Sequence, residues 1–183
     1  TLDDAVRRNQ IRYIGASSMY AHQFATALWE SDHRDFERFA TMQSHYNLLY
    51  REEEREMLPL CDKEDIGVTC YSPLARGHLA RPFESFTETS RGQYTEDRDD
   101  HMQDRIEQYR AGGGKEINER VQELAEGKGA SMAQISLAWL LSKDWVDAPI
   151  IGTTSVEHLK DAIEAIEIKL SSSDVEYLEE PYQ

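Results

Sequence analysis

Residues 66–77, IGVTCYSPLARG, decide the fold of this chain. Ile66–Tyr71 is a short apolar run closed by Ser72-Pro73, which predicts a strand followed by a turn. The preceding segment, Glu52–Glu64, has apolar residues at helical spacing and an acidic first turn, where the helix dipole favours negative charge. A helix that leads by a short turn into an apolar strand is the repeating unit of parallel α/β folds.

The same alternation of helix and strand continues on both sides of this unit. Short apolar runs predict strands at Arg12–Ala16, Arg38–Ser44, Ile66–Tyr71 and Ala148–Ile151. Apolar residues at helical spacing predict helices at Tyr20–Ser31, at Glu52–Glu64, at Glu116–Glu126, from Ser131 to Ser142, at Val156–Ile166 and after the cap Ser171–Ser173. Because parallel strands need helical crossovers, we expect an α/β fold with one parallel sheet, either in an eight-stranded barrel or in a doubly wound open sheet.

The 183 residues predict one domain with one long polar segment inside it. This segment, about Ala75–Gly114, is poor in apolar residues and ends in three glycines. A connection of that length within a compact domain is typical either of a functional lid or of disorder.

The charge of the chain limits its partners. It has 35 acidic and 20 basic residues, a net charge of −15, and only six of the bases are lysines. Such an excess repels phosphate backbones and anionic bilayers, so we expect neither nucleic acid nor membrane as a partner. Acidic residues spread along the chain are typical either of a halophilic-like, salt-adapted surface or of an ordinary acidic cytoplasmic protein.

The cysteines and histidines predict no metal site. Cys61 and Cys70 match neither a disulfide framework nor a metal-ligand spacing, and the six histidines are dispersed. We expect two free cysteines packed as small apolar residues, and therefore a reducing, cytoplasmic location.

The segments that follow the predicted strands are rich in hydroxyl and amide side chains. They are Gly15–Ser18, Gln43–Asn47, Tyr71–Gly77 and Gly152–Ser155. In parallel α/β folds the chemistry lies at the carboxyl ends of the strands, and this composition favours a large polar cofactor over a nucleophile–base pair. Gly152–Ser155 also opens a helix, where N–H groups and the dipole favour a phosphate. Each segment alone is more typical of a cap or turn, whereas four in register favour a site.

Four stretches of the chain resemble the second half of the aldo-keto reductases. They are IRYIGASSM (11–19), QSHYNLLYREEEREMLPLC (43–61), GVTCYSPLARGHLARP (67–82) and APIIGTTSVEHLKDAIEAI (148–166). The motifs within the second and third are the most specific, and the chain looks most like the bacterial and archaeal branch related to the potassium-channel β subunits. The resemblance implies the C-terminal half of a (β/α)8 TIM barrel, about four parallel strands with their helices, from an oxidoreductase that binds NADP(H) in extended form.

The resemblance also implies which residues bind the dinucleotide. The nicotinamide is expected beside Ser17, Ser18, Gln43 and Tyr71. The pyrophosphate is expected beside Ser72, Leu74 and Gly77. The adenosine 2′-phosphate is expected beside Gly152, Thr153, Thr154, Ser155, His158 and Asp161. Tyr71 would stack on the nicotinamide ring. The resemblance implies NADP as the cofactor. The family commonly has a basic residue near Thr154 or Ser155, and Glu-Asn where this chain has Asp161-Ala162, and these departures make NAD the alternative.

The same resemblance places the catalytic Asp, Tyr, Lys and His of the family in the first half of the barrel, so no catalytic residue is expected here. His45 and Tyr46 lie at a strand end without a neighbouring lysine, and we expect them to pack or to line the site. The chain is then a split or truncated NAD(P)H-dependent reductase of aldehydes or ketones, a non-catalytic module that binds a dinucleotide or a partner, or part of a longer enzyme. Alone, it is expected to be inactive.

Half a barrel would leave both edges of its sheet unpaired. We expect the inner face of the sheet, with Ile14, Met42, Val68 and Ile150, to meet water unless Ala75–Gly114 folds over it. The partner would then be a second copy of the chain or a separate chain with the missing half, beside a small carbonyl substrate.

A salt titration separates the two interpretations of the acidic surface. If the surface is salt-adapted, we expect the melting temperature to rise between low and molar KCl, because repulsion is screened as the Debye length falls to ~3 Å. Thermal denaturation followed by circular dichroism measures this. A melting temperature that stays flat or falls leaves only the ordinary acidic interpretation.

Overall fold

A computed structural model describes residues 1–88 and 107–183. Four parallel strands form one sheet in the order β1-β2-β3-β4: β1 Ile14–Ser17, β2 Phe39–His45, β3 Gly67–Tyr71 and β4 Ala148–Pro149. The α-helices with assigned bounds are α1 Leu2–Arg7, α2 Ala21–Arg34, α3 Met57–Lys63, α4 Gly114–Lys128, α5 Met132–Leu141, α6 Val156–Glu164 and α7 Ser172–Glu179. Short 3-10 turns lie at Glu52–Glu54, Ala75–Gly77, Phe83–Glu88 and Ala165–Glu167. In the described ranges no helix has the length and apolar character needed to span a membrane.

The predicted parallel sheet is confirmed, and prolines account for two differences in element bounds. The predicted helix Glu52–Glu64 begins as an α-helix only at Met57, because Pro59 lacks the N–H that a longer helix would need and is tolerated in a first turn. The predicted strand Ala148–Ile151 pairs only at Ala148 and Pro149. Pro149 has no N–H to donate, and the N–H of Ile150 instead donates to the Cys70 carbonyl at 2.8 Å. Of the predicted polar segment, residues 89–106 lie outside the described ranges.

The two faces of the sheet are the reverse of the predicted ones. Ile14, Met42 and Val68, expected to face water inside the barrel, are only 7%, 0% and 1% exposed. Met42 and Val68 belong to the buried core cluster that also includes helical residues. Alternate residues on the opposite face are small or polar, as in the exposed Gly15 and Thr41. The prediction was wrong because side chains alternate along a strand and the apolar set turns toward the covering helices. Of the four predicted residues only Ile150 is exposed, at 42%.

An apolar stripe on α6 is open to solvent. Val156, Leu159 and Ile163, with Ile166 just beyond the helix, follow the spacing of one helix face and are 62%, 45%, 55% and 58% exposed. No residue of α6 is buried. Large exposed side chains also lie before and after β1, the strand at the opposite edge of the sheet, for example Tyr13 and Trp29. Contiguous apolar surface of this kind marks a protein interface.

A charged cluster around Glu179 fastens α7 to the rest of the fold. The Glu179 carboxylate accepts a hydrogen bond from the Trp139 Nε1–H at 2.7 Å and pairs with Arg51 at 3.2 Å and with Lys143. Arg51 also donates to both carboxylate oxygens of Glu54, each at 2.9 Å. These side chains are mostly buried, so each charge depends on its partners.

Replacing Glu179 tests this cluster. We expect Glu179→Gln to lower the free energy of unfolding by about 2–3 kcal/mol, because two cations lose their shared carboxylate in a poorly hydrated place. The measurement is urea denaturation, read as a shift of the midpoint at constant slope. Glu180→Gln is the matched control: its side chain is 74% exposed and pairs with Arg120, so a change within about 0.5 kcal/mol is expected. Equal losses in the two variants would contradict the role of the cluster.

Candidate functional site

The carboxyl ends of β1, β2 and β3 bring four predicted residues together. The Ser17 hydroxyl donates to the Gln43 carbonyl at 3.1 Å, and the Ser18 hydroxyl donates to the Tyr71 hydroxyl oxygen at 3.3 Å. Ser18 turns the chain out of β1 with a φ of 47°, in the left-handed region. Ser17, Ser18 and Gln43 are exposed and Tyr71 is half-buried, so this cluster of four side chains is accessible to a ligand.

Behind Tyr71 lies a group of stacked rings. His45 is 6% exposed and stacks on both Tyr71 and Tyr50, with ring centroids 5.0 and 4.2 Å away. Its Nε2 is 2.6 Å from the hydroxyl of Tyr109. His45 therefore supports the site from the protein side, as expected of a residue that packs.

Left-handed backbone shapes the loop that follows β3. Ser72, Ala75, Arg76 and Gly77 all have positive φ, the last at 105°. A Cβ at Gly77 would lie 3.3 Å from Arg81 Nη2, so glycine lets the Arg81 guanidinium rest against the loop. The loop is thereby folded back with an arginine on its surface.

Asn118 of α4 fixes the far end of this loop. Its side-chain amide donates to the Arg81 carbonyl at 3.0 Å and also to the His78 carbonyl. Asn118 is 1% exposed, so these hydrogen bonds are shielded from water. They hold the backbone from which the Arg81 side chain projects.

A cleft of about 530 Å³ separates this loop from the start of α6. Seven predicted residues line it: Ser72, Leu74, Gly77, Gly152, Thr153, His158 and Asp161. Thr154 is exposed beside the cleft without lining it, and Ser155 serves as the N-cap of α6, its Oγ accepting from the His158 N–H at 3.3 Å.

The cleft has a basic side in a strongly acidic protein. Among the residues that the structure describes, Arg76, Arg81 and His158 line it against one carboxylate, Asp161, which accepts a hydrogen bond from the Ser131 hydroxyl at 2.8 Å. Arg81 Nε is buried and has no hydrogen-bond partner within the described part of the chain. A buried guanidinium donor suits an anionic ligand such as a phosphate.

Two other titratable groups close to these elements are poor candidates for proton transfer near neutral pH. Burial, and then the hydrogen bond of its hydroxyl to Glu54 at 2.5 Å, raise the pKa of Tyr46, which is fully buried. Burial, followed by the charges of Arg110 and Arg81, lowers the pKa of His78 to about 4, so its ring is neutral at pH 7. Residues 1–88 and 107–183 contain no cluster of three or more potential metal ligands.

The parallel sheet with a cleft at the carboxyl ends of its strands places the chain among the α/β proteins, and comparison with known proteins gives the family. The model of the aldo/keto reductase family matches residues 1–183. This chain belongs to the aldo-keto reductase family.

Three similar proteins illustrate the relation. A Schizosaccharomyces pombe protein provisionally named aryl-alcohol dehydrogenase C977.14c is 44% identical over 99% of this chain and 49% of its own length. Versiconal hemiacetal acetate reductase of Aspergillus parasiticus is 39% identical over 99% of this chain and 51% of its own length. The structure of the thermostable aldo-keto reductase Tm1743, in complex with the inhibitor epalrestat, superposes with a TM-score of 0.71 at 28% identity over 98% of this chain and 52% of that one. The chain thus spans about half the length of these relatives, and its fold is half of a TIM barrel.

Two contributors to the site were missed in the sequence, and a third, His45, was expected to pack or to line the site but without its stacking partners. Arg81 lies in the quoted stretch GVTCYSPLARGHLARP, but nothing in that stretch indicates that its side chain folds back onto Gly77. Asn118 is separated from Arg81 by 37 residues, and no local pattern predicts that contact. The stacking of His45 follows from its place opposite Tyr71 in the strand register, which the sequence alone does not give.

Proposed function

We propose that this chain provides the dinucleotide-binding half of an NAD(P)H-dependent reductase of aldehydes or ketones. The observation that carries the proposal is the cleft with the buried, unsatisfied Arg81 donor. A dinucleotide supplies phosphates for such a donor, and its remaining parts suit the hydroxyl and amide groups on either side. Two buried free cysteines agree with a reducing, cytoplasmic location.

The cluster of polar side chains at the strand ends suits the nicotinamide end of the dinucleotide. Ser17, Ser18 and Gln43 present donors and acceptors for a carboxamide, and the half-buried Tyr71 presents an aromatic ring. When bound, the reduced nicotinamide supplies a hydride to the carbonyl carbon. The residues of this chain orient the ring and keep its surroundings ordered.

The cleft fits the phosphates and the adenosine. Ser72, Leu74 and Gly77 lie on the loop beside Arg81, and Gly152, Thr153, His158 and Asp161 lie across from them. Arg76 and His158 favour the 2′-phosphate of NADP, whereas Asp161 favours a free ribose hydroxyl, as in NAD. We place NADP first because the basic side chains outnumber the acidic one, with NAD as the alternative.

The proton donor would come from the remainder of the barrel. The relatives are about twice as long as this chain. The open stripe on α6, and the side of β4 that pairs with no other strand of residues 1–88 and 107–183, give that remainder a surface to cover. We infer that the stripe receives a (β/α) segment that carries the catalytic acid. A non-catalytic dinucleotide-binding module is the second candidate, favoured by the high pKa of Tyr46 in this chain.

Binding of NADPH to this chain tests the cofactor assignment. We expect Arg81→Met to weaken binding by about ten- to a hundredfold, because a charge-assisted hydrogen bond to phosphate contributes ~1.5–3 kcal/mol. Fluorescence titration of NADPH, and of NADH in parallel, measures both affinities at fixed ionic strength. Arg55→Met is the matched control: it removes the same charge from a side chain that is 72% exposed and paired with Glu52. Equal effects of the two variants would leave only a general charge effect.

Reconstitution tests the reductase assignment. We expect this chain to show no NADPH consumption with an aldehyde panel, and its mixture with the unmatched part of the S. pombe relative to gain at least ~10²-fold, the contribution of positioned proton transfer. The rate at which the absorbance of the reduced nicotinamide falls measures turnover. Ile163→Glu on the stripe should prevent the gain, whereas Lys160→Gln, which changes the charge equally on the same helix, should not.

Three outcomes would revise this assignment. Dinucleotide binding without turnover in any mixture favours the non-catalytic module. Turnover by this chain alone, abolished by Tyr46→Phe, would show that the proton donor is Tyr46 of this chain and does not come from the remainder of the barrel. A homodimer broken by Ile163→Glu would assign the stripe to a second copy of the chain.

A further inference from the structure

His45 ends β2 directly opposite Tyr71, the last residue of β3. The two are partners in the parallel register, and their rings stack with centroids 5.0 Å apart and planes 15° apart. Tyr50 also stacks on His45, at 4.2 Å and 18°. Tyr50 is held by two backbone hydrogen bonds with Asn47, of 3.2 and 3.0 Å. The three rings are thus nearly parallel, and Tyr71 is the one whose hydroxyl is hydrogen-bonded to Ser18 of the site.

A hydrogen bond fixes the plane of the His45 ring. Its Nε2 lies 2.6 Å from the Tyr109 hydroxyl, and both residues are buried, at 6% and 2% exposure. The backbone at Tyr109 is close to the start of α4: a Cβ at Gly114 would collide with the Tyr109 carbonyl oxygen, so only glycine allows this approach. The contact therefore joins the start of α4 to the sheet.

An apolar ring at position 45 would fill the same space. Histidine adds a directional hydrogen bond, which stops the ring from turning about its own axis in the stack and so limits the motion of Tyr71. The Tyr71 hydroxyl accepts from Ser18, whose hydroxyl is 3.3 Å from that of Ser17. Contacts thus run without a break from Tyr109 through His45 and Tyr71 to the two serines. A platform ordered before the ligand arrives loses less conformational entropy on binding.

We propose that His45 is a positioning residue for the nicotinamide end of the site: held by Tyr109, it fixes the ring plane of Tyr71 against which the cofactor ring packs. This inference rests on the proposed dinucleotide-binding function. It assigns to His45 an effect on one end of the ligand only, since His45 is not among the residues that line the cleft.

The experiment compares two probes, NADPH and 2′,5′-ADP, which lacks the nicotinamide. His45→Phe keeps an aromatic ring in the stack but loses the Nε2 contacts with the Tyr109 hydroxyl and with the Asn47 side-chain amide at 3.4 Å. Tyr109→Phe loses only the hydroxyl. We expect each to weaken NADPH binding about tenfold and to leave 2′,5′-ADP binding unchanged. The double variant should be no weaker than His45→Phe alone, because Tyr109→Phe removes only a hydrogen bond that His45→Phe already lacks.

Tyr46→Phe is the matched control. It removes the hydroxyl of a neighbouring buried tyrosine whose partner, Glu54, lies in the Arg51 cluster. We expect it to lower the melting temperature while the ratio of the two affinities stays at the wild-type value. This separates a structural loss from a positioning loss.

The outcomes distinguish this inference from the proposed function. Wild-type protein that binds NADPH, with His45 and Tyr109 variants that lose both probes in parallel or keep the wild-type ratio, would overturn the positioning role alone. Wild-type protein that binds neither probe would overturn the dinucleotide-binding function and the positioning role with it. A selective loss of NADPH affinity supports the proposal.

Discussion

Five consecutive residues of β2 pair with five of β3, from Thr41–Gly67 to His45–Tyr71, and the site depends on this register. It aligns the carboxyl ends of the two strands, so that Gln43 and Tyr71 reach the same edge as Ser17 of β1. A slip of β2 by one residue would exchange its two faces, exposing Met42 and burying Gln43. The apolar face packed under helices therefore specifies the geometry of the polar end.

Much of the fold could be predicted from local sequence, because helices and strands of this chain have clear apolar periods and strong punctuation. Ser131, where a predicted helix begins, and Ser171, a predicted cap, each accept a hydrogen bond from the backbone N–H three residues on. Which face of each strand packs against the helices could not be predicted, since the same alternation of apolar and polar residues fits either face. The contacts of Arg81 with Gly77 and Asn118 were equally inaccessible, because they depend on how a loop folds back onto α4.

The distribution of charge matters more to the cleft than the total. A protein with a net charge of −15 repels a dinucleotide at long range, but salt screens exposed charges beyond a Debye length of about 8 Å at physiological ionic strength. Arg81, with a buried donor next to the loop backbone, is screened less than the surface carboxylates. Local donors therefore decide whether a phosphate binds, and the acidic surface mainly limits how fast it arrives.

Helix α6 belongs to two surfaces at once. Its residues His158 and Asp161 line the cleft, whereas Leu159 and Ile163 form the open stripe. No residue of α6 is buried, and side-chain hydrogen bonds to α5 and its cap hold it, from Ser131 to Asp161 and from Gln134 to Glu164. Because α6 has no buried residue, a segment that packs on the stripe or a ligand that binds in the cleft would add contacts that order it. Because such coupling is reciprocal, cover on the stripe that orders α6 would strengthen ligand binding in the cleft, and a ligand in the cleft would strengthen that cover by the same factor.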